Sequence, residues 1–386
     1  MKGICYLLLL LFFLLIILYL YENRNPQYII LNQPELNEYI TSLTKNGLPP
    51  QEYVLKKFNE HQVVILGEPH RVKQHYDFLK SLIEPLARSG IKYIGIEFYS
   101  VSIQDWINKL LTGREFDVAL ARKIILSDEC FFFYQELYDV FYEAWKVNRK
   151  GYEMHIIALE PEGGAFNHTK DRFMAQTASK IVAKKEKILI YCGTHHAFTR
   201  YYQPSILFWN KPTKVFRMGQ FLLHKDKSNP FFIFLHHPLS KRFWLFCPIL
   251  LYRQGFSLPF SGIVDQVFAK YKKPAGFDTS IEKFKKIPDS FSYYSSGYGT
   301  INLTDFADGY IFLNNYIEDN FVTPLENICS SKEEVEYLIS ILDENDHHLF
   351  VDHKRALRFL KSEGLTPAFM KKAVDIRGLE EFFSKN

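Results

Sequence analysis

The residues best suited to chemistry in this sequence are glutamates and histidines at the ends of four short apolar runs. They are Glu68 with His70, then Glu97, then Glu160, and finally His195 with His196. Imidazole nitrogens and carboxylate oxygens together suit Zn, Mn, Fe or Co, with one position left open for water. A metal-bound water would be acidified toward neutral pH, and a spare glutamate could take its proton.

The four apolar runs are predicted strands, because each is rich in β-branched or aromatic residues and too short for a helix. They span residues 63–66, 93–98, 155–160 and 188–192. Apolar residues at helical spacing between the first two runs indicate a strand, helix, strand unit with a parallel, right-handed crossover. The carboxyl ends of parallel strands share one sheet edge, where ligands bind in open α/β folds. We therefore expect the glutamates and histidines to converge there.

The predicted fold class is α/β, with a mostly parallel central sheet flanked by helices and preceded by an N-terminal transmembrane helix. Later in the chain, residues 214–223, 231–235 and 306–313 are predicted strands, and residues 331–343 and 354–363 are predicted helices. The adjacent His195 and His196 cannot point the same way on an extended segment, so one of them is expected to be structural.

Residues 4–21 form an uncharged, leucine-rich run, and a membrane-spanning helix needs about 17–25 residues. No small residue near its end marks a signal-peptidase site. Residues 1–22 are thus predicted to be an uncleaved signal anchor with a cytoplasmic N-terminus, which places the main domain in the periplasm or outside the cell. A cleaved signal peptide would change the anchoring but not the compartment. A polar stalk (23–50), an α/β domain (51–325) and a C-terminal helical segment (326–386) follow.

The composition excludes several functional classes. The net charge of +4 is spread along the 386 residues without a Lys/Arg stripe, so no nucleic-acid partner is expected. The five cysteines are scattered, without a Cys-x-x-Cys pair, which argues against a zinc ribbon and a disulfide framework. The sequence also has no Gly-rich phosphate loop and no Gly-x-Ser-x-Gly elbow, so nucleotide hydrolysis and a serine hydrolase mechanism are disfavoured.

Two Gly-x-x-His motifs carry a family resemblance. They are Gly67-Glu68-Pro69-His70 and Gly193-Thr194-His195-His196, with Ile94-Gly95-Ile96-Glu97-Phe98 between them. The pattern resembles the superfamily of erythromycin esterases, ChaN-like haem-binding lipoproteins, TraB pheromone-shutdown proteins and Tiki proteases, and is most similar to the ChaN-like form. The resemblance covers about residues 51–314. It implies an active or metal site built from Glu68, His70, Glu97 and His196.

A third segment, Asp171-Arg172-Phe173-Met174-Ala175, is similar to a helix start in ChaN-like proteins and implies that Arg172 faces the site. The chain departs from erythromycin esterases in having only Pro69 between its acid and histidine, where they usually place two residues. It also lacks the lipobox cysteine of ChaN-like lipoproteins.

The preferred hypothesis is a membrane-anchored, extracytoplasmic, metal-dependent hydrolase that acts on an ester or amide bond of a small molecule or peptide. Its expected catalytic residues are Glu68, His70, Glu97, His196 and Arg172. Its metal ligands would come from Glu68, His70, Glu97, His196, His195 and Glu160. The alternative is a non-catalytic haem- or metal-binding uptake protein, with Tyr201-Tyr202 and His236-His237 as candidate haem ligands. A third hypothesis is a signalling or scaffold protein with a relic site.

Overall fold

The computed structural model describes residues 26–127, 133–162, 168–204, 215–225, 228–241, 256–315, 322–326, 332–341, 374–377 and 379–380, and a few positions between 6 and 16. The strands are β1 (Val63–Glu68), β2 (Tyr93–Ser100), β3 (His155–Glu160), β4 (Ile188–Gly193), β5 (Phe231–Leu235), β6 (Leu239–Ser240), β7 (Phe256–Ser257), β8 (Ala275–Asp278), β9 (Pro288–Asp289), β10 (Ile301–Asn302), β11 (Gly309–Phe312) and β12 (Val374–Asp375).

The helices alternate with these strands along much of the chain. They are α1 (Gln33–Asn46), α2 (Pro50–Lys57), α3 (Lys73–Arg88), α4 (Gln104–Thr112), α5 (Val118–Leu126), α6 (Gln135–Arg149), α7 (His168–Val182), α8 (Thr194–Ala197), α9 (Met218–His224), α10 (Ile263–Tyr271), α11 (Leu303–Phe306) and α12 (Lys332–Ile341). Short 3₁₀ turns occur at Val101–Ile103, Phe260–Gly262 and Tyr293–Ser295.

The central sheet has seven strands in the order β3-β2-β4-β1-β5-β11-β8. Every neighbouring pair is parallel except β11 with β8. The predicted α/β class with a mostly parallel, helix-flanked sheet is therefore confirmed. The four strands that carry the predicted site residues are contiguous, so their carboxyl ends meet at one part of the sheet edge.

The core lies on both faces of this sheet. Along β1, Val64 and Leu66 pack on one face with the helices α3 and α6. The alternate residues, Val63 and Ile65, pack on the other face with residues of α7 and α10. Side chains alternate across a strand, so a strand covered on both faces has to be apolar throughout. This explains the uninterrupted apolar run before Glu68.

The packed part of the chain begins before the expected boundary at residue 51. Helix α1 lies within the predicted stalk, yet its Leu36 and Leu43 are 4% and 0% exposed. The Ile29 N–H donates to the Ser261 carbonyl at 3.1 Å, and the Gln266 side chain donates to the Ile29 carbonyl at 2.7 Å. The segment from Ile29 onward is thus held against α10.

Two other terminal predictions are only partly covered by the structure. Among the residues it describes, no helix has the length and apolar character needed to cross a membrane. Most of the predicted anchor, residues 1–22, lies outside those residues. The predicted helix at 331–343 is present as α12, whereas residues 354–363 lie outside the described part of the chain.

The predicted strand at residues 214–223 is wrong, because residues 218–224 form helix α9. Its apolar residues are spaced four apart, and Met218 and Leu222 are both fully buried, which is a helical period. The backbone N–H of Arg217 donates to the Gln220 side chain at 2.7 Å. That bond satisfies a backbone donor at the helix start.

Candidate active site

A pocket of about 380 Å³ opens at the carboxyl edge of the central sheet. Its wall includes the ends of β1 and β4 and the segments that follow β5 and precede α11. It is lined by Glu68, Pro69, His70, Gly193, Thr194, His195, His196, His237, Pro238, Leu239, Ser240, Lys241, Phe256, Tyr293 and Tyr294. A pocket of this size with few convergent polar groups is typical of a small-molecule site.

Glu68 and His70 form the first unit of the site. The Glu68 side chain is fully buried at the end of β1, and one of its oxygens is bonded to His70 Nδ1. The other oxygen accepts the His70 backbone N–H at 2.5 Å. The His70 side chain is 33% exposed, so a buried carboxylate fixes the orientation of an imidazole that borders the pocket.

Gly193 makes room for that imidazole. The β1–β4 register pairs Glu68 with Gly193, and a Cβ added at Gly193 would lie 2.8 Å from His70 Cε1 and 2.9 Å from His70 Nε2. Its φ of −56° is open to any residue. The need for glycine here is therefore close approach by the ring, and not backbone conformation.

Glu97, His196 and Asp171 form the second unit. His196 Nε2 lies 3.0 Å from Glu97 Oε1, and His196 Nδ1 lies 2.7 Å from Asp171 Oδ1. The second oxygen of Glu97 accepts the Gly193 N–H at 2.6 Å. The second oxygen of Asp171 accepts from Arg217 at 3.1 Å. One imidazole is thus clamped between two buried carboxylates.

Lys170 joins the third glutamate to this cluster. Its Nζ lies 3.1 Å from Glu97 Oε1 and 2.7 Å from Glu160 Oε1. The Lys170 side chain is 14% exposed. An ammonium group between the two carboxylates neutralises charge that would otherwise be costly to bury.

The charges in the site follow from these contacts. Burial disfavours a charged imidazole, but Glu97 and Asp171 outweigh it and raise the pKa of His196 to about 9. Burial alone would raise the pKa of Glu97, yet His196 and Lys170 hold it well below its usual range. His196 is therefore a cation at neutral pH and Glu97 an anion.

The Glu68–His70 unit titrates differently. Burial raises the pKa of Glu68, although the neighbouring His70 opposes that shift. Burial works against a charged His70, but the Glu68 carboxylate outweighs it, and the pKa of His70 is raised above its usual value of 6.5. Among ordinary side chains the imidazole titrates closest to neutral pH, which suits a histidine to proton transfer.

The structure brings together most of the predicted site residues. Glu68, His70, Glu97 and His196 lie in one cluster, and Glu160 reaches it through Lys170. His195 points elsewhere, 3.5 Å from Gln203 and beside Tyr293 and Tyr294, and burial lowers its pKa to about 3. Residues 194–197 are helical, whereas the sequence predicted an extended segment. His195 and His196 nevertheless point in different directions.

Arg172 also lies outside the cluster. It is exposed on α7, while the preceding Asp171 is 1% exposed and holds His196. The helical period explains this difference. Asp171 shares a face with the buried Met174 and Ala178, three and seven residues on, and Arg172 is rotated about 100° away.

Lys170, Asp171, Arg217 and Gln203 belong to the site but were not predicted as site residues from the sequence. Arg217 donates both to Asp171 and to the Gln203 side chain, the latter at 2.6 Å. A local pattern could have indicated Asp171, because a carboxylate on the apolar face of α7 has to be buried and therefore needs a partner. Nothing near Arg217 indicated a role, because its partner Asp171 is 46 residues away in sequence.

The donor set does not fit the predicted metal centre. Among the described residues, no group of three or more His, Cys, Asp or Glu side chains could hold a metal ion. Both nitrogens of His196 are bonded to carboxylates, and the ammonium of Lys170 lies within 3.1 Å of both Glu97 and Glu160. The cluster is an ion-pair network whose cations are side chains.

Two of the candidate haem ligands, Tyr201 and His236, already bond to other protein groups. The Tyr201 hydroxyl donates to the Tyr294 carbonyl. His236 is 3% exposed, with its Nδ1 hydrogen-bonded to the Tyr310 hydroxyl at 2.6 Å and its Nε2 3.1 Å from Asp265. His237, in contrast, lines the pocket.

No family model and no curated protein matches this chain. Solved structures do. A mutant of the erythromycin esterase EreC in its open conformation is 12% identical with a TM-score of 0.49, covering 78% of this chain and 97% of that one. A succinoglycan biosynthesis protein is 10% identical with a TM-score of 0.47, covering 77% and 100%. The haem-bound ChaN of Campylobacter jejuni is 13% identical with a TM-score of 0.29, covering 48% and 86%.

Proposed function

We propose that this chain is a hydrolase that cleaves an ester or amide bond by general acid–base catalysis at His70. The observation that carries the proposal is the Glu68–His70 unit at the pocket wall. A buried carboxylate holds Nδ1 of an imidazole that is 33% exposed, and an oriented, partly exposed imidazole is the arrangement that a general base requires.

In the proposed reaction, His70 takes a proton from a water molecule as the water oxygen bonds to the substrate carbonyl carbon. Glu68 stabilises the imidazolium that forms, because its carboxylate is already bonded to Nδ1. His70 then returns the proton to the leaving alcohol or amine as the carbon–oxygen or carbon–nitrogen bond breaks. No covalent enzyme intermediate is needed.

His196 is one of three cationic side chains in the site, together with Lys170 and Arg217. It lines the same pocket, and Glu97 with Asp171 keeps it protonated. Both of its nitrogens are bonded to carboxylates, so we assign His196 no hydrogen bond to the oxyanion that develops on the carbonyl oxygen. We assign Glu97 to stabilising the His196 cation and not to proton transfer, because the three groups closest to its oxygens are all hydrogen-bond donors.

This mechanism runs without a metal ion, in contrast to the metal-dependent hydrolase predicted from the sequence. The reason is the donor set, in which side-chain cations already neutralise the carboxylates. We expect hydrolysis to survive dialysis against EDTA and to be unchanged by added Zn²⁺ or Mn²⁺. Activity that is lost in EDTA and restored by one metal would overturn this part of the proposal.

The test of the hydrolase proposal is a screen of the purified chain against p-nitrophenyl esters and N-acyl p-nitroanilides of graded size. His70→Ala and Glu68→Gln are the test variants. His155→Ala is the matched control, because His155 is also 33% exposed and paired with a glutamate, but lies at the amino end of β3.

We expect kcat/KM to fall by about 10²–10⁴ in His70→Ala, the usual contribution of a general base, with little change in His155→Ala. Equal activity in wild type and His70→Ala would exclude His70 as the base. No turnover with any probe would favour the binding function described next.

Haem binding is the second candidate, and His237 is the observation that favours it. Its Nδ1–H donates to the Leu235 carbonyl at 2.7 Å, and burial keeps its pKa well below the usual value. A neutral imidazole anchored through one nitrogen and bordering a pocket is how iron-ligating histidines are presented. A Soret band that appears on haem titration and is lost in His237→Ala would support this function.

We further propose that residues 1–22 anchor the chain in a membrane and that the domain lies outside the cytoplasm. The support is the uncharged run at residues 4–21. The test is fractionation of cells that express the full chain and the chain from Pro26 onward, which keeps the segment packed on α10, combined with protease treatment of intact cells. Full-length protein found in the soluble cytoplasmic fraction would contradict this proposal.

A further inference from the structure

The loop that carries His70 has a strained backbone. His70 and Arg71 have φ values of 66° and 65°, in the left-handed region that residues with a Cβ rarely adopt. Strain of this kind persists only where the surrounding structure holds it. Glu68 holds one side of the loop through the His70 N–H.

Residues 322–326, which we call the strap, hold the other side. The Val322 N–H donates to the Arg71 carbonyl at 3.1 Å. Three residues further on, the strap pairs with the segment before α6, where the Leu325 N–H donates to the Phe133 carbonyl at 2.8 Å. Leu325 is 3% exposed, so its side chain anchors the strap in the core.

Glu136, near the start of α6, joins the strap to the helix that follows the loop. Its side chain is 2% exposed. One oxygen accepts the Thr323 N–H at 2.9 Å, and the other accepts from Lys73 Nζ at 2.9 Å. Lys73 is the first residue of α3. One buried carboxylate therefore ties together both segments that flank the strained loop.

We propose that Glu136 is a positioning residue for His70, which acts through the strap and through Lys73 to keep the His70–Arg71 backbone in its strained conformation. This inference rests on the proposed role of His70 as general base. Glu136 does not line the pocket, and its effect is to keep the imidazole in register with Glu68.

The test compares Glu136→Ala and Glu136→Gln with Asp139→Ala. Asp139 lies on the same helix and also binds a lysine of α3, Lys80, but is 37% exposed. Two readouts need no substrate. One is amide hydrogen exchange at Val322, and the other is the NMR resonance of the His70 Nδ1–H, which moves downfield when bonded to a carboxylate.

In Glu136→Ala we expect exchange at Val322 to quicken by about tenfold or more, the effect of losing a hydrogen bond to a buried charged group. We also expect the Nδ1–H resonance to broaden or move upfield. Glu136→Gln keeps one acceptor oxygen and should change both readouts less, in the same direction. Asp139→Ala should leave both unchanged. If hydrolysis is detected, kcat should fall in Glu136→Ala with KM unchanged.

The inference is overturned if Glu136→Ala leaves both readouts at their wild-type values, or if Asp139→Ala changes them as much. If Glu136→Ala does not fold, Glu136→Gln decides by the same readouts. Failure of the proposed function is separate, because a wild-type chain without hydrolytic activity still reports whether Glu136 positions His70.

Discussion

The substitution Asp171→Asn tests whether Glu97 and Asp171 keep His196 protonated. Asn keeps the shape of the side chain and one acceptor oxygen but removes the negative charge 2.7 Å from His196 Nδ1. An opposite charge at such a distance shifts a pKa by about 1–3 units. The pKa of His196, about 9 in the wild type, should therefore fall to between about 6 and 8.

The same substitution should change the pH dependence of stability. The raised pKa of His196, about 9 against the usual 6.5, is worth on the order of 3 kcal/mol at about 1.4 kcal/mol per pKa unit. A raised pKa stabilises the fold fully below the unfolded pKa, and this stabilisation is lost as pH rises through the folded pKa. The wild type should thus lose stability between pH 6.5 and about 9. The Asn variant should lose much less over that window.

The assay is NMR titration of ¹³C-labelled histidine for the pKa, with urea unfolding at pH 5, 7 and 9 for the free energy. Asp105→Asn, at an exposed position on α4, is the control and should alter neither quantity. A His196 pKa that stays near 9 in Asp171→Asn, or lies near 6.5 in the wild type, would refute the electrostatic account of this site.

Three further substitutions test the packing around the site. Gly193→Ala puts a Cβ 2.8 Å from His70 Cε1 and should displace the imidazole. We expect the fold to survive and kcat/KM on the best probe ester to fall by about a hundredfold, because a misplacement of about 1 Å is enough for such a loss. Lys170→Met leaves Glu97 beside a second carboxylate without their shared ammonium, and the free energy of unfolding at pH 7 should fall by about 3–5 kcal/mol, with a smaller loss at pH 4. Leu43→Ala should destabilise the domain to urea by about 2–5 kcal/mol, whereas a loss under about 0.5 kcal/mol, the range of surface changes, would show that α1 is not part of the core.

The strands that carry the site could be predicted from the sequence because their signal is local. Four apolar runs, each closed by a polar residue, indicated buried parallel strands. The resulting α/β class and the grouping of Glu68, His70, Glu97 and His196 at one sheet edge did not require knowledge of any distant contact.

Errors arose where a local pattern had two interpretations. The run at residues 214–223 suited a strand by composition, yet the burial of Met218 and Leu222 makes it a helix. Helix α1 lies within the predicted stalk, and the partner of its buried face, α10, lies more than two hundred residues later in the chain. Pairings of this kind are non-local and have no signature in the segment itself.

The sequence by itself determined which side chains are available for chemistry and on which edge of the sheet they lie. Only the tertiary structure decided how their charges are balanced. The β2-β4-β1 order brings Glu97 to the Gly193 N–H, and α7 supplies Lys170 and Asp171 as partners. Glutamates and histidines at strand ends are compatible with a metal centre or with ion pairs. Which of these forms depends on whether the fold places a lysine or arginine from elsewhere in the chain beside the carboxylates. A buried charge must be neutralised by a group that lies within a few ångströms of it.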